Sequence, residues 1–208
     1  MAEKQFSKKA ALEFGWNTLQ ANVGFLIGLF IAVLLLIGIP GVIAKKIATA
    51  AGPVLGLPLN LLNFVWQSVI SIGVIKISLR LIKNEKPGFG ELFSGLPLVV
   101  SYVVAKFLLI LMVVGGLILL VVPGIIFAIM FYMSTYIVVD KDAGPIEALK
   151  RSAAITKGVR WELFIFSLIL LALNLVGAIC LGVGLLVSLP ISTLASVYVY
   201  RQLDAQTT

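Results

Sequence analysis

Four stretches of this chain run without a single charged residue: Phe14–Ala44, Ile47–Ile75, Phe107–Val139 and Leu163–Tyr200. A helix crossing a hydrocarbon layer of ~30 Å needs about 20 apolar residues, because lipid offers its backbone no hydrogen-bond partner. Leu163–Tyr200 is too long for one crossing and suits two short ones turning at Gly177, Gly182 and Gly184. Phe107–Val139 contains Val122-Pro123-Gly124. Proline lacks an N–H and ends or kinks a helix, so this region, with Leu98–Ala105 added before Lys106, also makes two spans. The expectation is one all-α membrane domain over 1–208. Six transmembrane helices, at about 22–43, 58–82, 98–121, 123–140, 162–178 and 182–200, form three helical hairpins.

Composition agrees. Of 208 residues, 61% are hydrophobic and 12% charged, with a mean hydropathy of +1.13. Ordinary soluble domains sit near half apolar and a quarter charged. The formal charge of +7 does not point to nucleic acid, because the Lys and Arg residues sit at the ends of apolar runs, where they orient helices and meet anionic headgroups. The single cysteine, Cys180, rules out an intramolecular disulfide, and histidine is absent. The commonest general base and metal ligand is therefore missing. The first apolar run far exceeds the core of a signal peptide and is read as a retained helix.

Lys and Arg distribution sets the orientation. With the N-terminus in the cytoplasm, Lys4, Lys8, Lys9, Lys83, Lys86, Lys141, Lys150, Arg151, Lys157, Arg160 and Arg201 lie inside, and only Lys45 and Lys46 outside. Both termini are expected on the cytoplasmic side of a bacterial inner membrane. Two short amphipathic helices are expected at that interface. One covers residues 1–21. The other covers 145–158, where Pro145 opens a helix, Gly158 ends it, and Ile146, Leu149 and Ala153 share a face. Trp16 and Trp161 would lie at headgroup depth. Ile39-Pro40-Gly41-Val42-Ile43 matches Val122-Pro123-Gly124-Ile125-Ile126, which reads either as an internal repeat or as chance similarity between apolar stretches.

The residues Val122–Ile126, Glu147–Ser152, Thr156–Gly158 and Trp161 carry a resemblance. Over about residues 117–165 the chain resembles a widespread family of small bacterial membrane proteins of uncharacterised function, related to the membrane domain fused to some glycerophosphoryl diester phosphodiesterases. The resemblance implies a multi-helix membrane module. It supplies no activity, since catalysis in the fused relatives belongs to a separate barrel domain with no counterpart here.

No catalytic or metal-binding constellation stands out and no cofactor is implied. Asp140 and Asp142 flank Lys141 at a helix exit, where a solvated loop explains them. On the second span, Asn60, Asn63, Gln67, Ser71 and Ser78 fall on one face. Such polar groups serve either as interhelical hydrogen-bonding glue or as the wall of a path for a solute. Lys76, Arg80 and Lys83 lie on the opposite face, with Lys106 entering the third span. Together with Lys150, Arg151, Lys157 and Arg160 they are candidate contacts for anionic lipid headgroups, or they simply snorkel to the interface. Small residues recur at four-residue spacing at Gly24 and Gly28 and at Ser188, Ser192 and Ser196. The chain is therefore expected to be a non-catalytic membrane protein that binds or organises lipid or serves a partner. The alternative is a transporter or channel using the polar face of the second span. Expected partners are the bilayer, with its anionic lipids, and a second copy or a membrane partner protein.

Overall fold

The computed structural model describes residues 4–180 and 182–207, and every regular element among them is helical. Residues 1–3 of the expected N-terminal interfacial segment lie outside the described residues. Helix α1 (Lys8–Ala21) begins where the Ser7 hydroxyl accepts a hydrogen bond from the Ala10 N–H, satisfying one of the donors a helix start leaves unpaired. Its buried face, Ala11, Gly15 and Leu19, packs mainly on the last helix.

Helix α2 (Val23–Ile82) is two arms, Val23–Ala50 and Val54–Ile82, broken at Gly52. Gly52 has φ 74°, a left-handed conformation that glycine adopts without a Cβ penalty. The first arm thus runs beyond the expected end at residue 43. Lys45–Ala50 holds helix-compatible residues, and the Thr49 hydroxyl donates back to the Lys45 carbonyl. Pro40 lies inside this arm rather than at its end. As proline has no N–H, the carbonyl four residues earlier loses its partner. That carbonyl, Leu36, instead accepts the Trp66 indole N–H at 2.6 Å from the returning arm.

Short 3₁₀ turns at Phe89–Phe93 and Leu96–Leu98 lead into α3 (Val99–Leu119). The break before α4 (Val121–Phe131) is the single extended residue Leu120. Pro123 therefore sits in the first turn of α4, where its missing N–H costs nothing, instead of ending the helix before it. The two Pro-Gly motifs accordingly occupy unlike places, one mid-helix and one at a helix start, which removes the internal-repeat reading. Next come α5 (Ser134–Lys141), α6 (Pro145–Ile155), α7 (Arg160–Ile179) and α8 (Leu185–Ala205).

Among the described residues, five segments are long and apolar enough to cross a membrane: Val23–Ala50, Val54–Ile82, Phe89–Leu119, Val121–Lys141 and Arg160–Ile179. The expected sixth, α8, is not among them. It carries Ser188, Ser192, Thr193 and Ser196 and buries most of its length against other helices. A helix wrapped by protein needs no lipid-compatible surface, so apolarity is a poor guide to it. The core gathers α1, the start and the second half of α2, the start of α3, α5, α6, the start of α7 and most of α8. By contrast Val54, Ile118 and Ile179, near the three bends, are each 80% exposed or more. Apolar surface on this scale marks a face for lipid or for another protein.

Candidate functional site

Charged side chains converge where the start of α1, the end of α5, α6, the start of α7 and the end of α8 meet. The Asp204 carboxylate, only 5% exposed, accepts from Lys141 at 2.7 Å and from Arg151 Nη2 and Nε at 2.7 and 3.0 Å. Burial pushes this carboxyl up, but hydrogen bonds from Lys141 and Arg151 outweigh it and hold the pKa below the ordinary aspartate range. Asp140 accepts from Arg201 at 2.9 Å and from the Tyr200 hydroxyl at 2.8 Å. Lys8 pairs with Glu162, and Gln5 and Gln206 bond one another. These contacts lock α5, α6 and α8 together and bring the two ends of the chain side by side.

Helix α6 buries Ala148, Leu149, Ser152 and Ile155, whereas Ile146 is exposed. The face that packs is thus rotated from the one read as Ile146, Leu149 and Ala153. It turns inward: the Ser152 and Thr156 hydroxyls donate to the Met130 carbonyl at the end of α4, at 2.8 and 3.2 Å.

The candidate cations fall into two groups. Arg80 pairs with Glu91 at 2.7 Å and Glu85 at 3.6 Å, and Arg151 with Asp204. Lys76 donates to the Ser94 carbonyl, and Lys106 lies 5.4 Å from the Phe64 ring centre and 5.8 Å from that of Tyr102. Lys83, Lys150 and Lys157 are exposed, with no carboxylate within ion-pair distance among the described residues. Lys4 donates to the Ala154 carbonyl. Partial burial and the neighbouring Lys157 charge lower its pKa. Arg160 is half-buried, and no acceptor among the described residues reaches its buried Nε.

Of the polar stripe, Ser71 and Ser78 donate to the carbonyls of Gln67 and Val74 in their own helix. Asn60 is exposed, Gln67 is half-buried, and the buried Oδ1 of Asn63 meets no donor among the described residues.

Two clefts stand out. A polar one of about 310 Å³ lies among Tyr132, Tyr136, Ser167, Asn174, Ser192, Thr193 and Ser196. In it Tyr132 and Ser196 share a 2.9 Å hydrogen bond, and Asn174 donates to Ser192 at 3.1 Å. An apolar one of about 360 Å³ lies between α4 and the start of α7, lined by Val122, Ile125, Ile126, Ile129, Arg160, Trp161 and Phe164. Asp142 is exposed, apart from the Asp140 pairs, and no cluster of three His, Cys, Asp or Glu able to hold a metal occurs among the described residues.

Asp204 and the polar cleft were not singled out from the sequence. One signal for Asp204 existed. An acid in the last turn of a helix opposes the helix dipole and needs nearby cations. The cleft gave none, because Tyr132 comes from the turn between α4 and α5, Asn174 from α7 and Ser196 from α8.

The geometry defines an all-helical protein with several helices of membrane-spanning length and one end tied by ion pairs. The chain belongs to the family described as "Protein of unknown function (DUF975)", whose model matches residues 54–207. Uncharacterised proteins of Mycobacterium tuberculosis and Mycobacterium bovis are 33% identical to it over 91 residues, 44% of this chain. The match covers 28% of each relative, so this chain spans less than a third of their length. These matches give no support to the relation with the glycerophosphoryl diester phosphodiesterase membrane domain. No solved structure matches the chain.

Proposed function

We propose that the chain is a non-catalytic multi-pass membrane protein of the bacterial inner membrane that holds anionic lipid around its charged end. In this reading α8 makes a sixth crossing, the helices work as three hairpins, and both termini face the cytoplasm. The observation carrying it is the division of charges. At the charged end Asp140, Glu162 and Asp204 are drawn into ion pairs, while Lys83, Lys150 and Lys157 stay exposed. Each cation near an anionic leaflet contributes about 1 kcal/mol. The protein extracted from a membrane of mixed composition should retain phosphatidylglycerol over phosphatidylcholine of matched chains, and salt should weaken that preference. Equal retention of the two lipids would sink the proposal. A partner protein or a second copy would dock on the same apolar flanks.

A second reading, a conduit for a small solute, is favoured by the polar cleft rather than by the second span. Its uncharged donors and acceptors would suit a neutral polar solute.

A further inference from the structure

The cleft between α4 and the start of α7 joins an apolar floor to an arginine whose buried Nε has no partner among the described residues. Its floor is one stripe of α4, Ile125, Ile126 and Ile129, closed on the other side by Phe164. Arg160 lines it as well, with a buried Nε that no acceptor among the described residues satisfies. Trp161 stands beside the opening, 68% exposed. Arg160 follows Thr156 by four residues, and Thr156 is bonded to the Met130 carbonyl near the end of α4. Lys157 and Lys4 lie around the same corner.

We infer that this cleft is a site for one anionic phospholipid, an acyl chain lying along the α4 stripe and the phosphate held by Arg160. Three features select that occupant. The Arg160 Nε–H is unpaired in an apolar setting, which is costly, and an anion held beside the guanidinium offsets that cost. The guanidinium fork matches phosphate oxygens bidentately, and its two terminal nitrogens are the prongs open to a ligand. The apolar floor gives a free phosphate nothing and an acyl chain a groove, and an exposed tryptophan favours headgroup depth. A neutral lipid would fill the floor but leave the guanidinium unpaired.

The inference rests on the lipid-holding reading above, and its test separates the two. The full chain, in detergent, is titrated with phosphatidylglycerol or phosphatidylcholine of matched chains, and bound lipids are counted by native mass spectrometry. Arg160→Gln should weaken the tightest phosphatidylglycerol binding about tenfold, the scale of a hydrogen bond to a charged group, and Arg160→Lys should weaken it less. Ile126→Trp fills the floor without changing charge and should also weaken it. Lys46→Gln, an exposed cation near the Gly52 bend and outside the charged end, should change it little, and glycerol phosphate should not displace the lipid. Thermal unfolding shows which variants fold. If Arg160→Gln does not, Arg160→Lys and Ile126→Trp carry the test. The site is overturned if these variants bind as the parent does, if Lys46→Gln loses as much as Arg160→Gln, or if glycerol phosphate competes. In each case a surviving preference of the parent for phosphatidylglycerol leaves the general reading intact, whereas its absence in the parent defeats both.

Discussion

At the scale of single residues, the fold resolves conflicts that individual side chains create. Pro40 strips the Leu36 carbonyl of its helical partner, and Trp66 supplies a new one at 2.6 Å. Trp66→Phe should lower stability by about 0.6 to 1.7 kcal/mol, the range measured for hydrogen bonds between helices in membranes. With Pro40→Ala introduced as well, residue 40 regains its N–H and satisfies Leu36 itself, so Trp66→Phe should then cost less. Thermal unfolding of the four proteins in the cycle checks this, and equal costs in both backgrounds would refute the coupling. Asp204 poses the second conflict, a carboxylate almost without exposure held ionised by Lys141 and Arg151. Its folded pKa lies below its unfolded one. Its contribution is therefore fully present above the unfolded pKa of about 3.9 and is lost as pH falls through the folded value. Asp204→Asn should cost about 1 to 3 kcal/mol at pH 7. The gap between parent and variant, followed by unfolding midpoints, should hold from pH 7 to 5 and close only in stronger acid. A gap that does not narrow below pH 4 would show that packing, not charge, is what Asp204 supplies.

Among elements, the bends decide how closely helices approach. A Cβ on Gly124 would stand 2.5 Å from Leu117 Cγ and 2.9 Å from the Leu117 backbone nitrogen, and one on Gly184 would stand 2.7 Å from the Gly177 carbonyl oxygen. Nothing lies within 4 Å of the same position on Gly24. Gly124→Ala and Gly184→Ala should each destabilise by about 1 to 3 kcal/mol, as overpacking does. Gly24→Ala should be neutral or stabilise by up to about 1 kcal/mol, since alanine is the better helix former. Unfolding midpoints that fall for Gly24→Ala as far as for the other two would contradict this picture. The same comparison shows what the sequence could reveal. Gly182 and Gly184 marked the α7–α8 bend correctly, whereas Gly177, expected to share that turn, lies inside α7 and faces Gly184. The small-residue spacing at Gly24 and Gly28 looked like a helix contact, yet Gly24 is open and only Gly28 approaches anything, the Phe89 ring. Spacing alone does not say what faces a stripe. Pro40 and Pro123 were indistinguishable in sequence, since only tertiary context determines whether a neighbour can replace the missing bond. For α6 the helix was legible from Pro145 and Gly158, but its packed face was not, because Ser152 and Thr156 are buried through the Met130 carbonyl.

For the whole molecule, the charge bias proposes an orientation and the structure adds a geometric reason to test it. Gln5 and Gln206 are hydrogen-bonded to each other, and Lys8 pairs with Glu162, so the first and last helices begin and end at one place. Both chain ends must then lie on the same side of any membrane the protein crosses. Lys45, Lys46 and Thr49, near the Gly52 bend, are exposed and should lie opposite if the two arms of α2 both cross. In a background lacking Cys180, cysteines replacing Lys9 and Ala205 should be protected from a membrane-impermeant thiol reagent outside intact cells. One replacing Thr49 should be modified. Both termini reacting while position 49 is protected would invert the topology, and reaction at only one terminus would contradict the pairing of the chain ends. Cysteine in place of Ser192 or Asn174 extends the scan to the polar cleft. Dry packing excludes the reagent and suppresses the thiolate, so slow reaction at both supports the lipid-holding role. Fast reaction at both, with the helices intact, would mean that water reaches the α7–α8 interface, and the solute-conduit reading would then replace it.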